Sequence, residues 1–243
     1  MAFPKVDILG VQVASLTMAE AVAQAETYMR EHAGVMIATA NAEMIMRATA
    51  DEELRRILNA AALVVPDGAG TVWAAHHLGF SMPERVAGFD LVQELLSRAP
   101  AHRQKVFFFG AAPGVAEAAK QKAMALYPGL SVVGTRDGYF TSAEEPSIVA
   151  EIQEAAPDLL LVALGVPRQE KWLANHREAL GVPLSIGVGG TLDVMAGVVK
   201  RAPRFMQRAK LEWLYRGLAQ PQRIGRLMAL PRFVWRVCSA KKQ

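Results

Sequence analysis

KVFFFGAAPGVAEAAKQKAMAL, residues 105–126, is the stretch that decides the fold. It opens with a short apolar run, Lys105 to Gly110, rich in aromatic and β-branched side chains. AAPG then breaks the run, and an alanine-rich helix is expected from Gly114 to Leu126. A strand that is apolar on successive residues, not alternate ones, is covered on both faces. Strand, glycine-bearing turn and helix, in that order, is the repeating unit of a parallel sheet flanked by helices.

The same unit recurs in both directions along the chain. GVMIATA (34–40), ALVVP (62–66), LSVVG (130–134), DLLLVAL (158–164) and PLSIGVG (183–189) read as further strands. Helices are expected over 17–30, over 41–59, near 70–79, and over 88–98, 144–155 and 168–179. Thr17 followed by Glu20 forms a capping box for the first, and Asn41 caps the second. VDILGVQV (6–13) alternates and breaks at Gly10, which predicts a hairpin. The predicted fold class is therefore α/β: a mainly parallel, Rossmann-like sheet with helices on both faces and a small N-terminal β-hairpin. A basic amphipathic helical C-terminal appendage completes it. The division is a core over 1–197 and the appendage over 198–243.

Composition narrows the class. The chain has 243 residues, 52% hydrophobic and 21% charged, which excludes a disordered protein. Its one cysteine, Cys238, excludes an internal disulfide framework and a zinc ribbon. The first residues lack a basic segment followed by a long apolar one, and runs such as LLLVALGVP (159–167) are half a membrane span. A cytoplasmic protein that does not cross the membrane is expected. The charge is split. From residue 198 onward there are twelve basic residues and one acid, Glu212, for +11, so the first 197 residues carry −7. Phe205, Trp213, Tyr215, Phe233 and Trp235 interleave with those cations. Such a segment suits an interfacial helix on anionic lipid. The plainer alternative is a helical pair packed on its own domain. A nucleic-acid arm fits poorly, because the stripe is too apolar to stand open in water.

In a parallel α/β sheet ligands sit beyond the carboxyl ends of the strands. TAN (39–41), PDG (66–68), GAAPG (110–114), GTRDGYF (134–140), GVPRQE (165–170) and GVGGTLD (187–193) all fall there. Asp67 in PDG is a candidate general base, or a cap for the next helix. Thr39 and Asn41, two apart on extended backbone, face one side and suit sugar hydroxyls; Asn41 equally suits helix capping. Arg85 in PERVAG, and Arg136 with Asp137 in RDGYF, can meet a diphosphate or structure their own turns. Gly110, Gly189 and Gly190 allow backbone N–H groups to approach a ligand, or merely permit tight packing. Gln169 and Glu170 open a helix, where a glutamate suits the helix dipole without further function. His76 and His77 are adjacent on a helix and do not form a metal pair.

No Asp-x-Asp occurs, the usual carboxylate pair that holds a divalent ion on a nucleotide sugar. No metal and no cofactor are expected, so a leaving diphosphate must rely on cationic side chains and helix ends. A dinucleotide oxidoreductase is disfavoured, because GAAPG is not GxGxxG. A peripheral membrane adaptor using only the basic tail is the non-enzymatic alternative.

Taken in order, TANAEM, PDGAG, ERVAGFD, FFGAAPG, GTRDGYF, ALGVPRQEKW and the block from GVGGTLD through RAP to EWLYR resemble the WecG/TagA/CpsF family of bacterial glycosyltransferases. The resemblance covers nearly the whole chain. It implies an inverting, metal-independent transfer from a UDP-sugar, first N-acetylmannosamine, to a sugar on a polyprenyl diphosphate. A glucose- or uronic-acid-type donor for exopolysaccharide is the alternative within the family. By motif match Asp67 is the base, Thr39 and Asn41 line the sugar pocket, and Arg85 and Gln169 hold donor or acceptor. Arg216, Arg223 and Arg226 match arginines that the appendage contributes to the site. The resemblance further implies a homo-oligomer and action at the inner face of the cell membrane; with the tail too apolar for a nucleic-acid arm, no nucleic-acid partner is expected.

Overall fold

A computed structural model of the chain describes residues 3–203, 206, 215 and 229–240. Eight strands and ten α-helices are defined among them. The first two strands, β1 (Lys5–Ile8) and β2 (Val11–Ala14), form an antiparallel hairpin. Its two-residue turn puts both Leu9 and Gly10 at positive φ, the geometry that matches strand twist. Asp7 accepts the Gly10 N–H and ties the turn down.

The remaining strands are β3 (Val35–Ala40), β4 (Leu63–Pro66), β5 (Lys105–Gly110), β6 (Ser131–Arg136), β7 (Leu159–Ala163) and β8 (Leu184–Gly187). They form one six-stranded sheet in the order β4-β3-β8-β7-β5-β6, parallel throughout. Side chains alternate across it. Phe107, Phe109, Leu160 and Val162 enter one core, and Val106, Phe108, Leu159 and Leu161 enter the other. Both faces are covered, as the unbroken apolar strands require.

The helices are α1 (Met18–Arg30), α2 (Ala42–Ala48), α3 (Glu52–Ala60), α4 (Ala69–His77), α5 (Gly88–Arg98), α6 (Val115–Leu126), α7 (Glu145–Ala155), α8 (Arg168–Leu180), α9 (Thr191–Met195) and α10 (Ala229–Ala240). The Thr17–Glu20 capping box forms as expected. The single helix expected over 41–59 is two. Asn41 caps α2, and Asp51 caps α3 by accepting the Leu54 N–H at 3.0 Å. A second capping residue ten positions after the first is the local reason for the break. α10 lies against α2 and α4, with Phe233 and Val237 fully buried in the core that also holds Phe109 and Val162. Its other face leaves Trp235 70% exposed.

Candidate active site

Strands β5 and β7 are neighbours, but β5 leads outward to β6 and β7 leads the other way to β8. Connections that diverge leave a crevice at the carboxyl ends, between the loops after β5 and β7. The backbone there is close-packed. A side-chain carbon on Gly110 would lie 2.5 Å from the backbone of Ala163, and one on Gly138 would lie 3.2 Å from the Gly110 α-carbon. Gly110 also sits at φ +119°. Packing and conformation therefore explain this glycine, whichever ligand lies above it.

The candidates at the β3 and β4 ends come together. Asp67 donates its backbone N–H to Ala40 O at 2.9 Å, and Val86 donates to Pro66 O at 3.0 Å. The first bond sets Asp67 beside Asn41, and the second brings the Arg85 loop against β4. Gly88, opening α5, packs directly on Thr39: an added side-chain carbon would meet Thr39 Cγ2 at 3.0 Å, a tight contact. Asp67 is half-buried, and Gly68, not Asp67, is the N-cap residue of α4. Asn41 Oδ1 accepts the Met44 N–H at 3.0 Å, so its oxygen serves α2 as a cap. Thr39 is buried, and its hydroxyl donates to Gly187 O at 3.2 Å.

Arg136 and Asp137 lie at the other edge of the sheet. Arg136 ends the far edge strand and pairs with Glu144 at 3.5 Å and Glu151 at 3.8 Å. Asp137 Oδ1 accepts the Tyr139 N–H, closing its own turn. Five strand spacings separate β6 from β4, so Arg136 stands about 24 Å across the sheet from the Asp67 loop. One diphosphate does not reach both.

Gln169 and Glu170 depart furthest from expectation. The first turn of a helix after Pro167 is ordinarily solvated, yet both side chains are 1% exposed. Gln169 Oε1 accepts the N–H of Gly165 at 3.1 Å and of Gly189 at 3.0 Å. Its Nε2 donates to Glu170 Oε1 at 2.7 Å. Gln169 thus ties the loop after β7 to the loop after β8. Burial pushes the Glu170 carboxyl up to about 7, against the opposing pull of the Gln169 amide and Arg47. Nothing local in GVPRQE marks this burial; a glutamate at a helix start reads as a dipole partner. Gly189 N–H is already bonded to Gln169, and Gly190 is the N-cap residue of α9 at φ −80°.

Two further features frame the rim. Arg168 donates to Gly138 O at 3.0 Å and stacks over Phe140, joining the loop after β7 to the loop after β6. Arg201, at the start of the basic tail, makes a bidentate pair with Asp90 in the first turn of α5, at 2.7 and 2.9 Å. Its guanidinium lies over Phe89. Arg216, Arg223 and Arg226 lie outside the described residues. A cleft of about 550 Å³ between α3 and α8, lined by Met36, Ile57, Leu173 and Arg177, opens near the amino ends of the strands, away from this rim. No described helix is long and apolar enough to cross a membrane.

Carboxylate, hydroxyl, amide and guanidinium groups gathered on the carboxyl rim of a parallel sheet make these strand-end loops the candidate site of an α/β protein. The model of the Glycosyl transferase WecG/TagA/CpsF family matches residues 6–243, and the chain belongs to that family. It is a glycosyltransferase. It is 36% identical over 241 residues to the N-acetylglucosaminyldiphosphoundecaprenol N-acetyl-beta-D-mannosaminyltransferase of Staphylococcus aureus strain MRSA252. The alignment spans 98% of this chain and 94% of that protein. The protein of the same description from strain NCTC 8325 is similar to the same extent.

Proposed function

We propose that the protein transfers N-acetylmannosamine from its UDP derivative to N-acetylglucosamine carried on a polyprenyl diphosphate, with inversion and without a metal ion. The observation that carries this reading is the similarity to the Staphylococcus aureus transferases along almost the whole of both chains. The name of those relatives specifies both the sugar moved and the lipid-linked acceptor.

In this reading the Asp67 carboxylate accepts the proton of the acceptor hydroxyl as its oxygen attacks the anomeric carbon. The bond from that carbon to the diphosphate oxygen breaks on the opposite side, and UDP leaves with the electron pair. A carboxylate is a weak base toward a free hydroxyl, but the proton becomes acidic once the new bond is partly formed. Thr39 and Asn41, next to Asp67 on the rim, contact the sugar, and Arg85 reaches the diphosphate. The charge on the leaving group is met by the N-terminal N–H groups of α4, beside Asp67, and by tail arginines, with Arg216, Arg223 and Arg226 the candidates. The basic, aromatic tail rests on the cytoplasmic membrane face, where the acceptor is anchored. A homo-oligomer belongs to the same reading.

The test is a donor screen against an N-acetylglucosamine polyprenyl diphosphate analogue, reading UDP release and product mass. UDP-N-acetylmannosamine is expected to be the preferred donor. Preference for UDP-glucose or a UDP-uronic acid would move the protein to the exopolysaccharide alternative. Absence of transfer from every donor, with liposome binding retained, would favour an adaptor.

A further inference from the structure

We propose that Glu170 is a positioning residue of the transfer site: it holds the Gln169 carboxamide in one orientation, and through it fixes the glycine-rich loops after β7 and β8 against each other. The inference rests on the rim being the donor site, as proposed above. Gln169 itself is then a latch between loops, not a ligand for substrate.

The argument starts from hydrogen-bond supply. A buried carboxamide has an oxygen that accepts and a nitrogen that donates, and the two ends are nearly the same shape. Gln169 faces two backbone N–H donors, Gly165 and Gly189, which lie on different loops. Only the oxygen end satisfies them; the reversed amide would set donors against donors. Glu170 Oε1 supplies the acceptor that the nitrogen end needs at 2.7 Å, and so selects the productive orientation. The pair fits because residue 187 is glycine. A side-chain carbon there would lie 2.6 Å from Gln169 Nε2 and 3.1 Å from Glu170 Oε1. From the other side Thr39 donates to Gly187 O, so the latch lies directly beneath a candidate sugar contact. Glu170 Oε2 is buried and has no hydrogen-bond partner among the described residues. A carboxylate placed so dearly in a helix's first turn has a partner to hold, and that partner is Gln169.

Three variants test this. Glu170→Gln keeps an acceptor oxygen for Gln169 and should leave the UDP dissociation constant and donor KM within about threefold of wild type. Glu170→Leu removes the acceptor and should raise both by about tenfold or more, with kcat changed less. Gly187→Ala, which pushes Gln169 Nε2 aside, should reproduce that KM effect even if the leucine variant fails to fold. Backbone exchange at Gly165 and Gly189 reads the latch without any ligand. It should quicken about tenfold in Glu170→Leu and Gly187→Ala and stay near wild type in Glu170→Gln. Wild-type protein that binds no UDP would count against the donor site alone, and the exchange rates would still decide the latch. Unchanged exchange and unchanged donor KM in the leucine and alanine variants would overturn the proposal. So would a Glu170→Gln protein as impaired as Glu170→Leu.

Discussion

Replacing Glu170 by glutamine should change how stability depends on pH, and the structure sets the size of the change. The carboxyl is 1% exposed, and its folded-state value is about 7 against an ordinary 4.5. The protonated form is the one the fold accommodates. Below pH 4.5 the group is protonated in both states and contributes no penalty. As pH rises through 4.5 the unfolded chain ionises while the folded one resists, so stability falls. Above about 7 the loss is complete, at about 3 kcal/mol. Glutamine does not ionise and escapes the loss. Urea unfolding of both proteins at pH 5 and pH 8 measures it. The advantage of the variant should widen by about 2.5 kcal/mol between those values. Other titrating groups act on both proteins and cancel in the difference. Arg47, the nearby cation named above, keeps its charge throughout. A gap that stays constant within about 0.5 kcal/mol would refute the reasoning. It would mean that the carboxylate is compensated where it lies and that desolvation does not dominate.

Asp67→Asn should lower kcat by about 10²–10⁴-fold, with UDP affinity and melting temperature close to wild type, as steady-state kinetics and calorimetry would show. Phe233→Ala removes a fully buried ring from the contact of α10 with α2 and α4, at a cost of about 3–5 kcal/mol. Hydrogen exchange should quicken across 229–240 and leave β5 and β7 protected; uniform loss of protection would show that α10 is not a separable layer. For Asp90 and Arg201, a double-mutant cycle with Asp90→Asn and Arg201→Gln should return a coupling of about 1 kcal/mol, since the pair is bidentate but partly solvated. Protein dialysed against a chelator should keep its transfer rate, and activity that returned only with Mn²⁺ would overturn the metal-independent reading.

Much of this molecule is written in short windows of the chain. Thr17 and Glu20 announce α1, Leu9–Gly10 sits where alternation breaks, and the unalternated run at 105–110 states that the strand is covered on both sides. Those signals need only the neighbours within four residues, because capping, turn geometry and side-chain periodicity are local properties. The same proximity explains the error at 41–59. Asp51 was present in the window, but capping residues also occur inside continuous helices, so the break needs the Leu54 N–H bond to be certain. The rim motifs were legible as a set because glycine and proline turns follow each strand; which of them meet was not.

From its residues alone the chain specifies strand and helix order, a sheet buried on both faces, a cationic aromatic tail and a series of rim motifs that resembles one family. Sheet order and partnership belong to the folded state. Thr39 finds Gly187 across 148 positions, Arg201 finds Asp90 across 111, and Arg136 is taken by Glu144 and Glu151. Glu170 looks like any helix-opening glutamate until β3, β8 and α8 close around it. Burial and long-range pairing are collective outcomes of packing, so no window of sequence contains them.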